Sequence, residues 1–207
     1  YLGVGTNLKF YVESGGIISD ITPLRETTSA GDVTFAASNG SSTLVVADTG
    51  HGAVEGDFVT FSGAASLGGN ITAAVLNQEY QISLIVNANS YNITAKDTTG
   101  ATVTANSSDT GNGGSSVVGA YQINTGTNFY VDSTGWGVGG WGIPAFGQSV
   151  DLTVSNQLRL YSQDAFADDL IFNPRAGGVY FWDESSGAST RAVPLSSLGG
   201  ASNTPTA

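Results

Sequence analysis

The chain of 207 residues carries 17 acidic against 6 basic side chains, a formal charge of −11, 29 Gly and no Cys. That balance argues against tight nucleic-acid binding, which is driven by phosphate neutralisation. The missing Cys excludes disulfides, thiolate metal sites and Cys nucleophiles.

Only 11% of the residues are charged while 40% are hydrophobic, enough to fill a core. Strand formers stand between Gly, Asn and Asp clusters and no window carries a helical period, so the fold class is all-β with minimal helix. No run approaches the roughly 20 apolar residues of a membrane helix, and the first residues carry no basic n-region with an apolar h-region, so a soluble protein is expected. The start at Tyr1 and the absence of Met are read as marks of a piece of a longer polypeptide.

The chain opens on a hairpin pattern: Asn7 to Val12, a turn at Glu13-Ser14-Gly15-Gly16, then Ile17 to Thr22 and Pro23. The same pattern returns at Gly178 to Trp182, Asp183 to Gly187, and Thr190 to Leu195. Sliding the sequence by 171 residues matches Phe10 to Phe181, Glu13 to Glu184, Ser14 to Ser185, Gly16 to Gly187, Pro23 to Pro194 and Leu24 to Leu195. Leu8 to Val179 and Tyr11 to Trp182 are conservative swaps. Radially repeated β-sheets recur every ~40 to 50 residues, so this offset implies an insertion of roughly 130 residues between two neighbouring blades.

Between the copies lie short strand patterns about every ten residues. They are Thr43 to Val46, Asp57 to Phe61, Tyr80 to Val86, Tyr91 to Thr94 and Ala101 to Thr104. The expected organisation is a β-propeller-like blade segment over 1–28, an inserted small β-barrel or sandwich over 29–120, and a Gly/Trp-rich loop region over 121–154. A returning blade segment over 155–198 and a flexible tail over 199–207 complete it. Within the returning segment, Leu158 to Tyr161 and Asp169 to Phe172 read as strands, with Asn173 to Gly178 as a turn.

His51 is the single histidine and no Gly-x-Ser-x-Gly elbow exists, so a Ser-His-Asp triad has no support. In Thr49-Gly50-His51-Gly52 the imidazole reads as a turn residue bonding to the backbone. One His without Cys cannot readily supply a zinc site, and no alternating Asp/Asn loop ending in Glu marks calcium. Neither a metal nor a cofactor is therefore expected.

Gly137-Val138-Gly139-Gly140-Trp141-Gly142 matches the dinucleotide fingerprint in form, but Pro144 follows where a helix is needed. Asp164, Asp168 and Asp169 form the densest acidic cluster, read as turn and surface residues rather than a glycosidase pair. Trp136, Trp141 and Phe146 are loop aromatics whose sharper reading is a platform for a partner or a glycan. The expectation is a protein that is not an enzyme.

The stretch Asp48 to Gly63 resembles a small β-module that recurs in phage virion proteins. Together with Ile21 to Arg25, Gly135 to Gly142 and Leu158 to Trp182, it is similar to a family of bacteriophage tail proteins, the nozzle or hub component of short-tailed phages. The resemblance implies a β-propeller-like body carrying an inserted β-domain, assembled with copies of itself as a ring of six around the DNA exit channel. The implied partners are the adaptor, portal and fibre proteins, with DNA passing an acidic wall without specific binding. Membrane is not among them. The implied location is the virion tail. Two blades cannot close a propeller, so the remaining body would lie outside this chain. The competing reading is a receptor-binding or adhesin module of a tail fibre or spike; a polysaccharide depolymerase rests on acidic residues alone.

Overall fold

A computed structural model describes residues 1–124, 160–175 and 177–200. These residues are almost entirely β, in four antiparallel sheets, none of which closes into a barrel. The chain divides into two compact units: Tyr1–Thr22 with Thr125–Ala207, and Pro23–Asn124. The second therefore lies within the sequence of the first.

The discontinuous unit opens with β1 (Leu2–Gly5), β2 (Phe10–Ser14) and β3 (Ile17–Asp20), an antiparallel meander. The Ser14↔Ile17 pair leaves Gly15 and Gly16 as a two-residue turn with φ of +58° and +85°. Two successive positive φ values define the type I′ turn, whose twist matches that of the strands and which glycine adopts at no steric cost.

Its later part is a second meander: β12 (Tyr161–Phe166), β13 (Asp169–Pro174), β14 (Tyr180–Trp182) and β15 (Val193–Pro194), in chain order across the sheet. Phe10, Val12 and Ile21 from the first part and Phe172, Trp182 and Ala192 from the second form one core. The Phe10 and Phe172 rings stack with centroids 3.9 Å apart. Asp20 ties the two parts by charge, 2.9 Å from both Lys9 Nζ and Arg191 Nη1.

The offset of 171 does not align these strands face for face. Phe10 and Val12 point into the core, whereas Phe181, the match of Phe10, is half-exposed and Trp182, the match of the half-exposed Tyr11, is buried. Side chains alternate with period two, so the matched residues occupy opposite faces. The turns differ as well: a 3-10 turn at Glu184–Ser186, capped by the Asp183 side chain, stands where the first copy has the glycine hairpin.

The continuous unit is a sandwich. One sheet runs β5 (Thr34–Ala37), β6 (Thr43–Ala47), β10 (Ser90–Thr94), β9 (Leu84–Asn87). The other runs β4 (Leu24–Thr27), β11 (Val118–Gln122), β7 (Phe58–Ser62), β8 (Glu79–Gln81). Alternation decides the inner face: Leu44 and Val46 on β6, Val59 and Phe61 on β7, and Tyr91 and Ile93 on β10 are all buried in one core. Phe35 meets Phe61 edge to face at 5.0 Å across the sheets. A single helical turn, α1 (Ala73–Leu76), capped by Thr72, adds Val75 and Leu76 to this core.

The boundaries fall at Thr22/Pro23 and Asn124/Thr125, whereas 28/29 and 120/121 were expected from the sequence. The reason is pairing: β4 and β11 bond to each other, and their Leu24 and Gln122 partners draw both ends of the segment into the sandwich.

Candidate functional site

The densest set of polar side chains in the described core belongs to the loop Asp48 to Asp57, which carries the chain from β6 in one sheet to β7 in the other. A crossover of this kind must bury a hydrophilic segment, and each of its polar groups then needs a partner. Gly50, Gly52 and Gly56 supply φ of +71°, +56° and +92°, which bend the loop back onto the sandwich.

His51 is 3% exposed. Its Nδ1 accepts from the Ala53 N–H at 3.0 Å, and Nε2 lies 3.1 Å from the Asn87 carbonyl oxygen, to which it donates. This pair of contacts fixes the neutral tautomer with hydrogen on Nε2. The ring edge packs against Tyr91 at 5.0 Å, and Arg25 Nη2 donates to the His51 carbonyl at 3.0 Å. With both ring nitrogens held by backbone, the imidazole has no free lone pair to offer a substrate.

Asp48 lies at the start of the loop. Tyr121 donates to its carboxylate, and the Tyr91 and Tyr121 hydroxyls are 2.7 Å apart. Burial pushes the Asp48 carboxyl above the usual carboxylate range against the opposing bond from Tyr121. Burial likewise pushes both phenols well above their ordinary value, so they act as neutral donors. At the far end Asp57 Oδ2 accepts from the Val54 N–H at 3.0 Å and Oδ1 from Asn124 Nδ2 at 3.0 Å. Burial raises this carboxyl too, with the Val54 N–H working against it. The arrangement pins a crossover between sheets through hydrogen bonds made within the fold.

A second buried carboxylate, Asp109, accepts four backbone N–H groups: Gly69 and Ile71 on Oδ1, Asn70 and Asn106 on Oδ2, all at 2.8–3.1 Å. Burial works to raise its carboxyl, but the four bonds to the ionised form prevail and hold it below the usual range.

The acidic cluster expected near residue 164 does not converge. Asp168 sits in the two-residue turn between β12 and β13, Asp164 bonds the Ala165 N–H, and Asp169 Oδ1 accepts from the Glu184 N–H at 3.0 Å. Trp136, Trp141, Phe146 and the glycine run 137–142 lie outside the described residues. Among the described residues no group of three or more His, Asp or Glu side chains gathers as a metal site, and no helix is long and apolar enough to cross a membrane.

Sequence reasoning singled out His51 and missed Asp48, Asp57 and Asp109. Asp48, two residues before Gly50, and Asp57, directly after Gly56, stand in turn-forming stretches, but nothing local to Asn106-Ser107-Ser108-Asp109 names its partners at 69–71.

No family model matches the chain, and no curated protein matches it. Among solved structures it is similar to "Phage phi92 endosialidase", with a TM-score of 0.31 and 12% identity over 93% of this chain. The chain spans 28% of the length of that protein. A superposition at that level assigns no residue a role.

Proposed function

We propose that this chain is a non-enzymatic structural protein of a bacteriophage tail, part of a ring of identical copies forming the nozzle or hub around the DNA exit channel. The observation that carries the reading is the meander β12-β13-β14-β15 in a unit whose sequence is interrupted by a complete sandwich. Four strands in chain order form the unit from which radially repeated sheets are built, and such sheets accept insertions between strands. The formal charge of −11 on a channel wall repels a passing phosphate backbone rather than holding it. The polar groups of the sandwich loop are committed to internal bonds, which supports a structural rather than a catalytic reading.

An antibody raised against the chain, applied to intact particles under the electron microscope, tests this directly. The expected label sits on the tail axis below the head. Label confined to fibre or spike tips would favour the receptor-binding reading instead, as would glycan-array binding abolished by Trp136→Ala and Trp141→Ala. Label on the head shell, or none, overturns the tail assignment.

A further inference from the structure

The charges of this acidic chain avoid one sheet. No Asp, Glu, Lys or Arg occurs from Val33 to Ala47 or from Ile82 to Ala95, the two stretches that build β5, β6, β9 and β10. The inner face of that sheet is core, and the outer face is turned to solvent. Register places Ala36 beside Val45, Val45 beside Asn92, and Asn92 beside Leu84, a continuous uncharged row across all four strands. Thr43 and Thr94 pair in a second row. Val45, Leu84 and Val86 are 40%, 49% and 51% exposed.

The sheet's two edges are treated differently. At β5 the Phe35 N–H donates to the Asn112 carbonyl at 2.9 Å, so a loop covers that edge. At β9 no strand among the described residues pairs with the free side, and the segment Leu84-Ile85-Val86-Asn87 has none of the Lys or Pro residues that usually guard an open edge. The opposite sheet of the sandwich, by contrast, carries Glu79 on β8, to which Gln122 Nε2 donates at 2.5 Å.

We infer that the outer face of β5-β6-β10-β9, with the open edge of β9, is the surface on which a second copy of this chain docks. The occupant follows from charge. Two copies each carrying −11 repel wherever their acidic surfaces meet, and like charges brought together across an interface are costly. A charge-free face with exposed apolar side chains and an unguarded strand edge is where a copy can approach without that cost and still gain burial and backbone pairing. This deepens the ring assembly proposed above by naming the sheet through which copies meet.

The test is mass photometry of the full chain at low and raised ionic strength, alongside Leu84→Lys, Val86→Lys and the control Ile18→Lys, which changes an exposed residue of the other unit. Wild type and Ile18→Lys are expected to form multimers that strengthen with salt, as screening relieves repulsion. Leu84→Lys and Val86→Lys are each expected to weaken association at least tenfold with unchanged circular dichroism. Added Lys lowers the net negative charge, so a general charge effect would act in the opposite direction. Multimers unaffected by both substitutions overturn the inference while leaving ring assembly intact. Loss of association from open-ended rather than closed multimers supports the docking face and counts against the ring. A monomer at every concentration and salt overturns both.

Discussion

The two compact units hold themselves together by different means. The sandwich of Pro23–Asn124 surrounds twenty buried hydrophobic residues drawn from both sheets and the segments that join their strands, and it seals its crossover loop with the His51, Asp48 and Asp57 bonds. The discontinuous unit centres, among the described residues, on six buried hydrophobics, three of them aromatic, and one charge cluster at Asp20. The contrast teaches that a segment of about a hundred residues can close a core when two four-stranded sheets face each other. Where chain-distant pieces must meet, a stacked aromatic pair and an ion triad do more of the joining.

The largest way to sharpen that contrast is Phe61→Ala. Removing a fully buried ring from the sandwich core should cost about 3–5 kcal/mol and erase hydrogen-exchange protection across β5 to β11. Loss of protection confined to β7 would show that the sandwich is not one cooperative core. Phe10→Ala, the corresponding change in the discontinuous unit, should instead expose β13 and β14.

Next in size is His51→Ala, which removes the acceptor for Ala53, the donor to Asn87 and the packing on Tyr91. About 2–4 kcal/mol is expected in urea melts. No change would mean the loop holds its crossover without the imidazole.

Smaller again is Asp109→Asn, in which one oxygen must serve donors previously shared by two. About 1–3 kcal/mol is expected. It also carries a pH signature. Asp109 is held below its ordinary value of 3.8, so its contribution is present above that pH and is lost as pH falls through the lower folded value. Asp48 and Asp57 are raised, so they act in the opposite sense: acidification from neutral pH toward 3.8 should stabilise the sandwich before Asp109 begins to destabilise it. Melting temperatures across this range should therefore pass through a maximum, and the acid-side fall should be shallower in Asp109→Asn.

The smallest effect is Gly16→Val. A β-branched residue at φ of +85° should cost about 1–2 kcal/mol, read in the melting of the discontinuous unit, with the sandwich unaffected.

Strands with clean alternation were legible from sequence. Thr43 to Val46, Asp57 to Phe61 and Tyr91 to Thr94 correspond to β6, β7 and β10, because alternate residues of each, Leu44 and Val46, Val59 and Phe61, Tyr91 and Ile93, are large apolar side chains that face the core. The run Tyr80 to Val86 reads as one strand but splits into β8 and β9, which belong to different sheets, with the break at Ile82-Ser83. β1, with Leu2-Gly3-Val4-Gly5, and β11, with Val118-Gly119-Ala120, carry glycines that hide strand character. They exist because a neighbour supplies the ladder, information that lies far off in sequence. The segment Ala101 to Thr104 alternates yet keeps only an isolated bridge between Thr102 and Lys96. His51 was readable as a backbone-bonding turn residue from its flanking glycines, whereas Asp109 was not, since three of its four partners stand some forty residues away.

The proposed role is assembly rather than chemistry, and direct imaging tests it best. Cryo-electron microscopy of the full chain at raised ionic strength should give closed rings of identical copies around an open centre. Monomers alone, at every concentration and salt, would contradict it.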